Sequence, residues 1–252
     1  MQLYMVEDAE NLAKKAADVI QEIIKEKPSA VLGLATGSTP IATYQELIRR
    51  FQAGEIDFSQ VTTFNLDEYF GLEPKHPQSY HTFMHNHLFN YINVAEENIH
   101  IPLGVHKDLG DVEGYCKTFE HFISYCGGID LQLLGIGNNG HIGFNEPAEQ
   151  LQAKTHLVRL SEKTLEANAR FFSKKEEVPQ YAITMGIQTI LSAKKIVLLA
   201  QGVEKAEIIQ KLFQTGITTD IPASFLKLHP DVIVIVDQAA GSLLNCNNKE
   251  CC

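Results

Sequence analysis

The chain has 252 residues, 44% hydrophobic and 21% charged, and a formal net charge of −10. That acidic balance argues against a nucleic-acid backbone as partner, and an anionic ligand would have to be held by local groups against the overall field. No apolar run approaches the roughly 20 residues that span a bilayer, and the start MQLYMVEDAENLAKKAA has no basic segment leading into an apolar one. No membrane partner is expected, and the expected address is cytoplasmic.

Apolar side chains at Leu12, Ala16, Val19, Ile20, Ile23 and Ile24 form a helical stripe over residues 8–26, ended by Pro28. Residues 30–35 (AVLGLA) read as a short strand. The turn Thr36-Gly37-Ser38-Thr39 follows, then a helix toward Gly54 with Pro40 in its first turn and Ser38 or Thr39 as N-cap. Residues 61–66 (VTTFNL) form the next strand, and a helix over 79–91 follows a polar loop.

In the second half, a helix over 111–125 precedes a strand at 129–134, and a strand at 155–160 precedes a helix at 162–172. Strands at 182–185, 195–200 and 231–236 surround a helix opening near Val203. Alternating strands and helices, with strands apolar throughout, predict a single α/β domain. Its expected form is a doubly wound, mostly parallel, Rossmann-like sheet with helices on both faces. Residues from about 241 to 252 read as a variable polar tail. Two of the five cysteines, Cys116 and Cys126, lie in the body, and Cys246, Cys251 and Cys252 in the tail; none forms a C-x-x-C pair, so reduced, incidental thiols are expected.

The residues with chemistry follow the strands. Thr36–Thr39 offers backbone amides, hydroxyls and a helix start, a place that suits phosphate, although it serves equally as a capped turn. No Gly-Lys-Ser/Thr follows, so a triphosphate is not implied. Lys205 and Arg170 are candidate charged partners, or else solvated surface charges. Asp67, at the end of an apolar strand, reads as a general base with a raised pKa or as a cap of the next turn.

Residues 135–147, GIGNNGHIGFNEP, place a glycine-rich turn before His141 and Glu146, a proton-transfer pair or a buried structural pair. The G-x-G-x-x-G match is followed by no helix start, which argues against a dinucleotide site. His81, His85 and His87 share one helix, but no H-E-x-x-H and no nearby carboxylate ligand is evident, so a hydrated face is expected and no metal. In open α/β sheets the ligand crevice lies beyond the carboxyl ends of the strands, where Thr36–Thr39, Asp67, His141 with Glu146, and Gln201–Lys205 converge, each directly after a strand.

Taken together, LGLATGSTP, TFNLDEYFGL, SYHTFMHNHLF, LLGIGNNGHIGFNEP, ANARFF, residues 182–190 and LHPDV resemble the glucosamine-6-phosphate deaminases. The resemblance runs almost from end to end and weakens in the last dozen residues. It implies conversion of glucosamine 6-phosphate and water to fructose 6-phosphate and ammonia, with no cofactor. It assigns phosphate binding to Thr36, Gly37, Ser38, Thr39, Arg170 and Lys205. It makes His141 the acid/base of ring opening, oriented by Glu146 with Asn139, and Asp67 the carrier of a proton between C2 and C1. The alternatives are a 6-phosphogluconolactonase-like hydrolase on the same fold and a non-catalytic sugar-phosphate sensor.

Two departures from the family pattern stand out. Asn139 replaces an aspartate found in many members, which leaves Glu146 as the expected main anionic partner of His141. At the positions of the effector-phosphate site of larger hexameric relatives stand Glu149, Gln150, His156 and Val158, poor hosts for phosphate. A monomer without an allosteric effector is therefore expected. Residues 148–178 are a candidate mobile lid.

Overall fold

The computed structural model describes residues 1–106, 109–162, 164–165, 172 and 178–244. Strand β1 (Gln2–Val6) leads to helix α1 (Ala9–Glu26). Asp8 caps α1, its side chain accepting from Asn11 N at 2.9 Å, and the apolar stripe from Leu12 to Ile24 is buried. Then come β2 (Val31–Leu34), α2 (Ile41–Gln52), β3 (Thr62–Asn65), β4 (Asp67–Tyr69), α3 (Tyr80–His87) and β5 (Ile99–His100). The second half contains α4 (Leu109–Tyr125), β6 (Leu131–Gly135), β7 (His156–Arg159), β8 (Tyr181–Thr184), α5 (Ile187–Leu191), β9 (Lys195–Ala200), α6 (Ala206–Gln214) and β10 (Val232–Asp237).

Seven strands pair in parallel in the order β1-β10-β9-β6-β2-β3-β5. Both faces are buried, as the unbroken apolar strands require. Ile196, Leu198, Val232 and Val234 enter one core beside α4, α5 and α6, while Val197, Leu199, Ile233 and Ile235 enter the other beside α1 and α2. That alternation is the period of two of a strand read twice, once into each core.

Three expectations need correction. Strands β7 and β8 do not join the parallel sheet: with β4 they form a separate antiparallel one, ordered β4-β8-β7. Their alternation of strand with helix in sequence is the same in either sheet, so the pattern alone could not separate them. Neither Ser38 nor Thr39 caps α2; Pro40 occupies the cap position and no side chain bonds there. The helix expected over 79–91 ends at His87, followed by a separate 3-10 turn at Phe89–Tyr91. The helix expected at 162–172 falls largely outside the described residues, as do Arg170 and the cysteines of the tail. Part of the candidate lid is strand β7, hydrogen-bonded to β8. No helix among the described residues is long and apolar enough to cross a membrane.

Candidate active site

From β2 the large sheet extends through β3 on one side and from β6 through β9 on the other. The loops leaving β2 and β6 therefore part at the sheet's switch point, where a crevice opens beyond the strand ends. A cleft of about 680 Å³ lies there, lined among others by Thr36–Thr39, Asp67, Tyr80, Asn138, His141 and Lys205. Asn139 and Glu146 line it too. Of the ten residues singled out in the sequence, nine meet at this cleft, and Arg170 lies outside the described residues.

The phosphate-type loop turns at Gly37, whose φ of 95° suits a residue without Cβ. Tyr44 on α2 donates its hydroxyl to the Ala35 carbonyl at 2.5 Å, fixing the helix start against the strand end. Across the cleft, Lys205 ends a 3-10 turn (Val203–Lys205) that runs directly into α6, and donates to Asn138 Oδ1 at 2.5 Å. Burial lowers its pKa, with Glu204 acting in the opposite sense. Its described hydrogen-bond partner is a neutral amide, so the ammonium remains available to an anion.

The turn after β6 is drawn tight by bonds from Gly137 N to the His141 carbonyl and from Gly140 N to the Gly137 carbonyl, each 2.9 Å. The His141 ring lies on Gly137, where an added Cβ would stand 2.2 Å from it. His141 Nδ1 is 2.8 Å from Asn139 Oδ1 and 3.4 Å from Glu146 Oε2. Asn139 Nδ2 in turn donates to Glu146 Oε2 at 2.5 Å. The amide thus stands between imidazole and carboxylate, and the nearer partner of His141 is Asn139. Thr164 donates to the other oxygen, Glu146 Oε1, at 3.1 Å. Burial alone would raise the Glu146 pKa; bonding to His141, its charge, Asn139 and Thr164 outweigh that and hold it at about 2. Glu146 is therefore a fixed negative charge, and Asn139, accepting at Oδ1, leaves His141 Nδ1 as the donor.

Asp67 opens β4 one residue beyond β3, so the small sheet starts where the large one ends. Its backbone pairs with Thr184 on β8, and the carboxylate is 5% exposed. Among the described residues no hydrogen-bond donor reaches that carboxylate. Burial, with the neighbouring Glu68 adding to it, raises its pKa to about 8. Gly143, with φ of 56°, brings backbone close enough that a Cβ there would lie 3.5 Å from Asp67 Oδ2. Glu68 points away and accepts from Tyr69 N, Tyr80 N and His81 N at 2.8–2.9 Å, tying β4 to the start of α3.

Sequence reading missed Tyr80, Phe144, Ser161 and Thr164, all of which line the cleft. Tyr80 stacks on Phe144, their planes 3° apart, and its hydroxyl donates to that of Tyr69 at 3.1 Å. Tyr80 lies in a segment quoted for the resemblance, but its periodicity reads only as helix surface. The absence of a carboxylate beside the histidine helix is also corrected, since Glu96 Oε1 stands 3.9 Å from His85 Nε2.

Residues 6–234 match the family model described as glucosamine-6-phosphate isomerases/6-phosphogluconolactonase. The chain belongs to that family. A glucosamine-6-phosphate deaminase of Thermoanaerobacter pseudethanolicus is 56% identical over 244 residues, 97% of this chain and 95% of the relative. Glucosamine-6-phosphate deaminase 2 of Bacillus subtilis is 54% identical over 246 residues, covering 97% and 98%. Among solved structures, a monomeric glucosamine-6-phosphate deaminase superposes with a TM-score of 0.91 at 47% identity, over 96% of this chain and all of the other. The 6-phosphogluconolactonase of Trypanosoma brucei shares the fold, with a TM-score of 0.77 at 18% identity and coverage of 97% and 98%.

Proposed function

We propose that this family member is a glucosamine-6-phosphate deaminase that converts glucosamine 6-phosphate and water to fructose 6-phosphate and ammonia. The observation that carries the reading is Asp67, a buried carboxylate without a described donor, in the same cleft as His141 and the Thr36–Thr39 loop. Full-length relatives named as deaminases at 52–56% identity support it. The solved structures named as 6-phosphogluconolactonases stand at 18–21%.

In this reading the amides and hydroxyls of Thr36–Thr39, with Lys205 and Arg170, hold the substrate phosphate. His141, oriented through Asn139 and Glu146, moves the proton that opens the pyranose ring. The substrate ammonium beside Asp67 draws its raised pKa down, so that it ionises as the ligand settles. Asp67 then takes the C2 proton and returns it to C1 through an enolamine, leaving an iminium at C2. Addition of water there releases ammonia and leaves the ketose. One carboxylate serving two adjacent carbons is the device of an aldose–ketose isomerase base.

The chain acts in this proposal as one cytoplasmic, monomeric domain. Its relevant ligand is the amino-sugar phosphate. With Glu149, Gln150, His156 and Val158 in place of phosphate-binding groups, N-acetylglucosamine 6-phosphate is expected to leave the kinetics unchanged; sigmoidal kinetics relieved by that compound would overturn this. The decisive experiment supplies purified protein with glucosamine 6-phosphate, and separately with its galactosamine epimer, and measures ammonia and fructose 6-phosphate. Asp67→Asn is the control. A lactonase or a sensor would release neither product from either protein, and a lactonase would instead hydrolyse 6-phosphogluconolactone and keep most of that activity with Asp67→Asn.

A further inference from the structure

Outside the cleft, α3 carries His81 and His85 one helical turn apart, their rings stacked with centroids 4.4 Å apart. The 3-10 turn Glu96–Asn98 brings Glu96 alongside. One ligand-capable atom from each of these three residues lies within 4.8 Å of the other two. Two ligands of a tetrahedral zinc-like ion, each about 2.1 Å from the metal, sit about 3.4 Å apart. The cluster therefore has to close by up to about 1.4 Å. Glu96, with its side chain 74% exposed, is free to make that movement.

The hydrogen-bond pattern of His85 points the same way. Its Nδ1 is 3.2 Å from Asn90 Oδ1, which can only accept, so Nδ1 carries the hydrogen. That leaves the Nε2 lone pair, a buried atom without a hydrogen-bond partner, facing the Glu96 carboxylate at 3.9 Å. Two electron-pair donors turned toward one another across a gap too long for a hydrogen bond make an arrangement that a cation between them satisfies. The Asn90 amide is thus an outer partner that orients the His85 ring, as such partners orient metal-binding histidines.

We propose that His81, His85 and Glu96 form a site for one divalent transition-metal ion of the zinc or nickel class, bound through two imidazole nitrogens and one carboxylate oxygen. Imidazole and carboxylate together select such ions over calcium or magnesium. The ion ties α3 to the turn at Glu96–Asn98, and so steadies the helix whose first residue, Tyr80, lines the cleft. This inference does not depend on the reaction proposed above.

The test uses the full chain, reduced and stripped of metal, titrated with zinc chloride by calorimetry and with cobalt chloride by visible absorption. His81→Gln and Glu96→Gln both change side chains with access to solvent, and circular dichroism checks that each variant is folded. A protein with Cys246, Cys251 and Cys252 all changed to Ser removes competing thiols. The expected result is one ion per chain in the wild type and in the triple serine protein, with a cobalt spectrum lacking thiolate bands. His81→Gln and Glu96→Gln each weaken binding by about 100-fold, the upper end of what losing even an outer-shell partner costs. Zinc raises the unfolding temperature of the wild type and not that of His81→Gln. Equal zinc affinity in wild type and His81→Gln, or loss of binding in the triple serine protein, overturns the proposal.

Discussion

The two ends of the large sheet treat the same side chain in opposite ways. At the amino end, Asp130 accepts from Lys27 Nζ at 2.6 Å, Lys194 Nζ at 2.7 Å and Val31 N at 2.7 Å. Burial works to raise its pKa, but those bonds prevail and the net shift is downward. At the carboxyl end, Asp67 is as little exposed and has no described donor, and its pKa climbs to about 8. Asp67 also lies deeper among protein atoms than Asp130, so desolvation and the lack of described donors act together. The paired carboxylate serves the fold, and the one without a described donor carries a desolvation cost that, in the proposed reaction, a cationic substrate relieves.

The strongest way to break this contrast is Asp67→Asn. If the carboxylate carries the proton, kcat falls by about 10²–10⁴-fold, read as ammonia released. Stability moves the other way. An acid whose folded pKa lies above its unfolded value holds more protons folded than unfolded between about pH 4 and pH 8, so stability falls as pH rises through that window. Asp67→Asn removes that slope, and urea unfolding should find it more stable than wild type, by more at pH 8 than at pH 5. Unchanged turnover, or lower stability at pH 8, would count against the reading.

Next in size is Lys205→Met, which removes a cation from the same end of the sheet. A charge-assisted bond contributes about 1.5–3 kcal/mol, so KM for the sugar phosphate should rise about 10–100-fold while kcat changes less. A fall in kcat at constant KM would show that Lys205 acts on the chemistry instead.

Glu146→Gln sharpens the role of the intervening amide. Because Asn139 carries no charge, the substitution should lower kcat about tenfold or more in the wild type and less in Asn139→Asp, where a second carboxylate faces the imidazole. Equal losses in both backgrounds would refute the reliance of His141 on Glu146. Smallest for activity is Asp130→Asn. It should cost about 1–3 kcal/mol of stability in urea and leave kcat unchanged, because its bonds lie at the far end of the sheet.

Much of this architecture was readable in the residues themselves. Unbroken apolar strands such as DVIVIV require two buried faces, and the stripe from Leu12 to Ile24 requires a packed helix. The glycines at 37, 137 and 140 marked turns where backbone or a ring comes close. The antiparallel pairing of β7 and β8 was hidden because strand partners are chosen across long stretches of chain, and short strands carry no record of that choice. Tyr80 and Thr164 escaped notice for a related reason, since each serves the cleft only after helix and loop have been folded over it.

By itself the sequence determined most of the strands and helices, though not β1, β4, β5 or α5, and which loops carry donors, acceptors and a lone buried-type carboxylate, because those follow from local spacing and side-chain chemistry. Only the tertiary structure decided that Asn139 stands between His141 and Glu146, that Asp67 has no described donor while Asp130 has three, and that Glu96 reaches the histidines of α3. The reason is physical: hydrogen bonds and pKa shifts depend on distances of a few ångströms between groups brought together by burial, and linear order does not encode those distances.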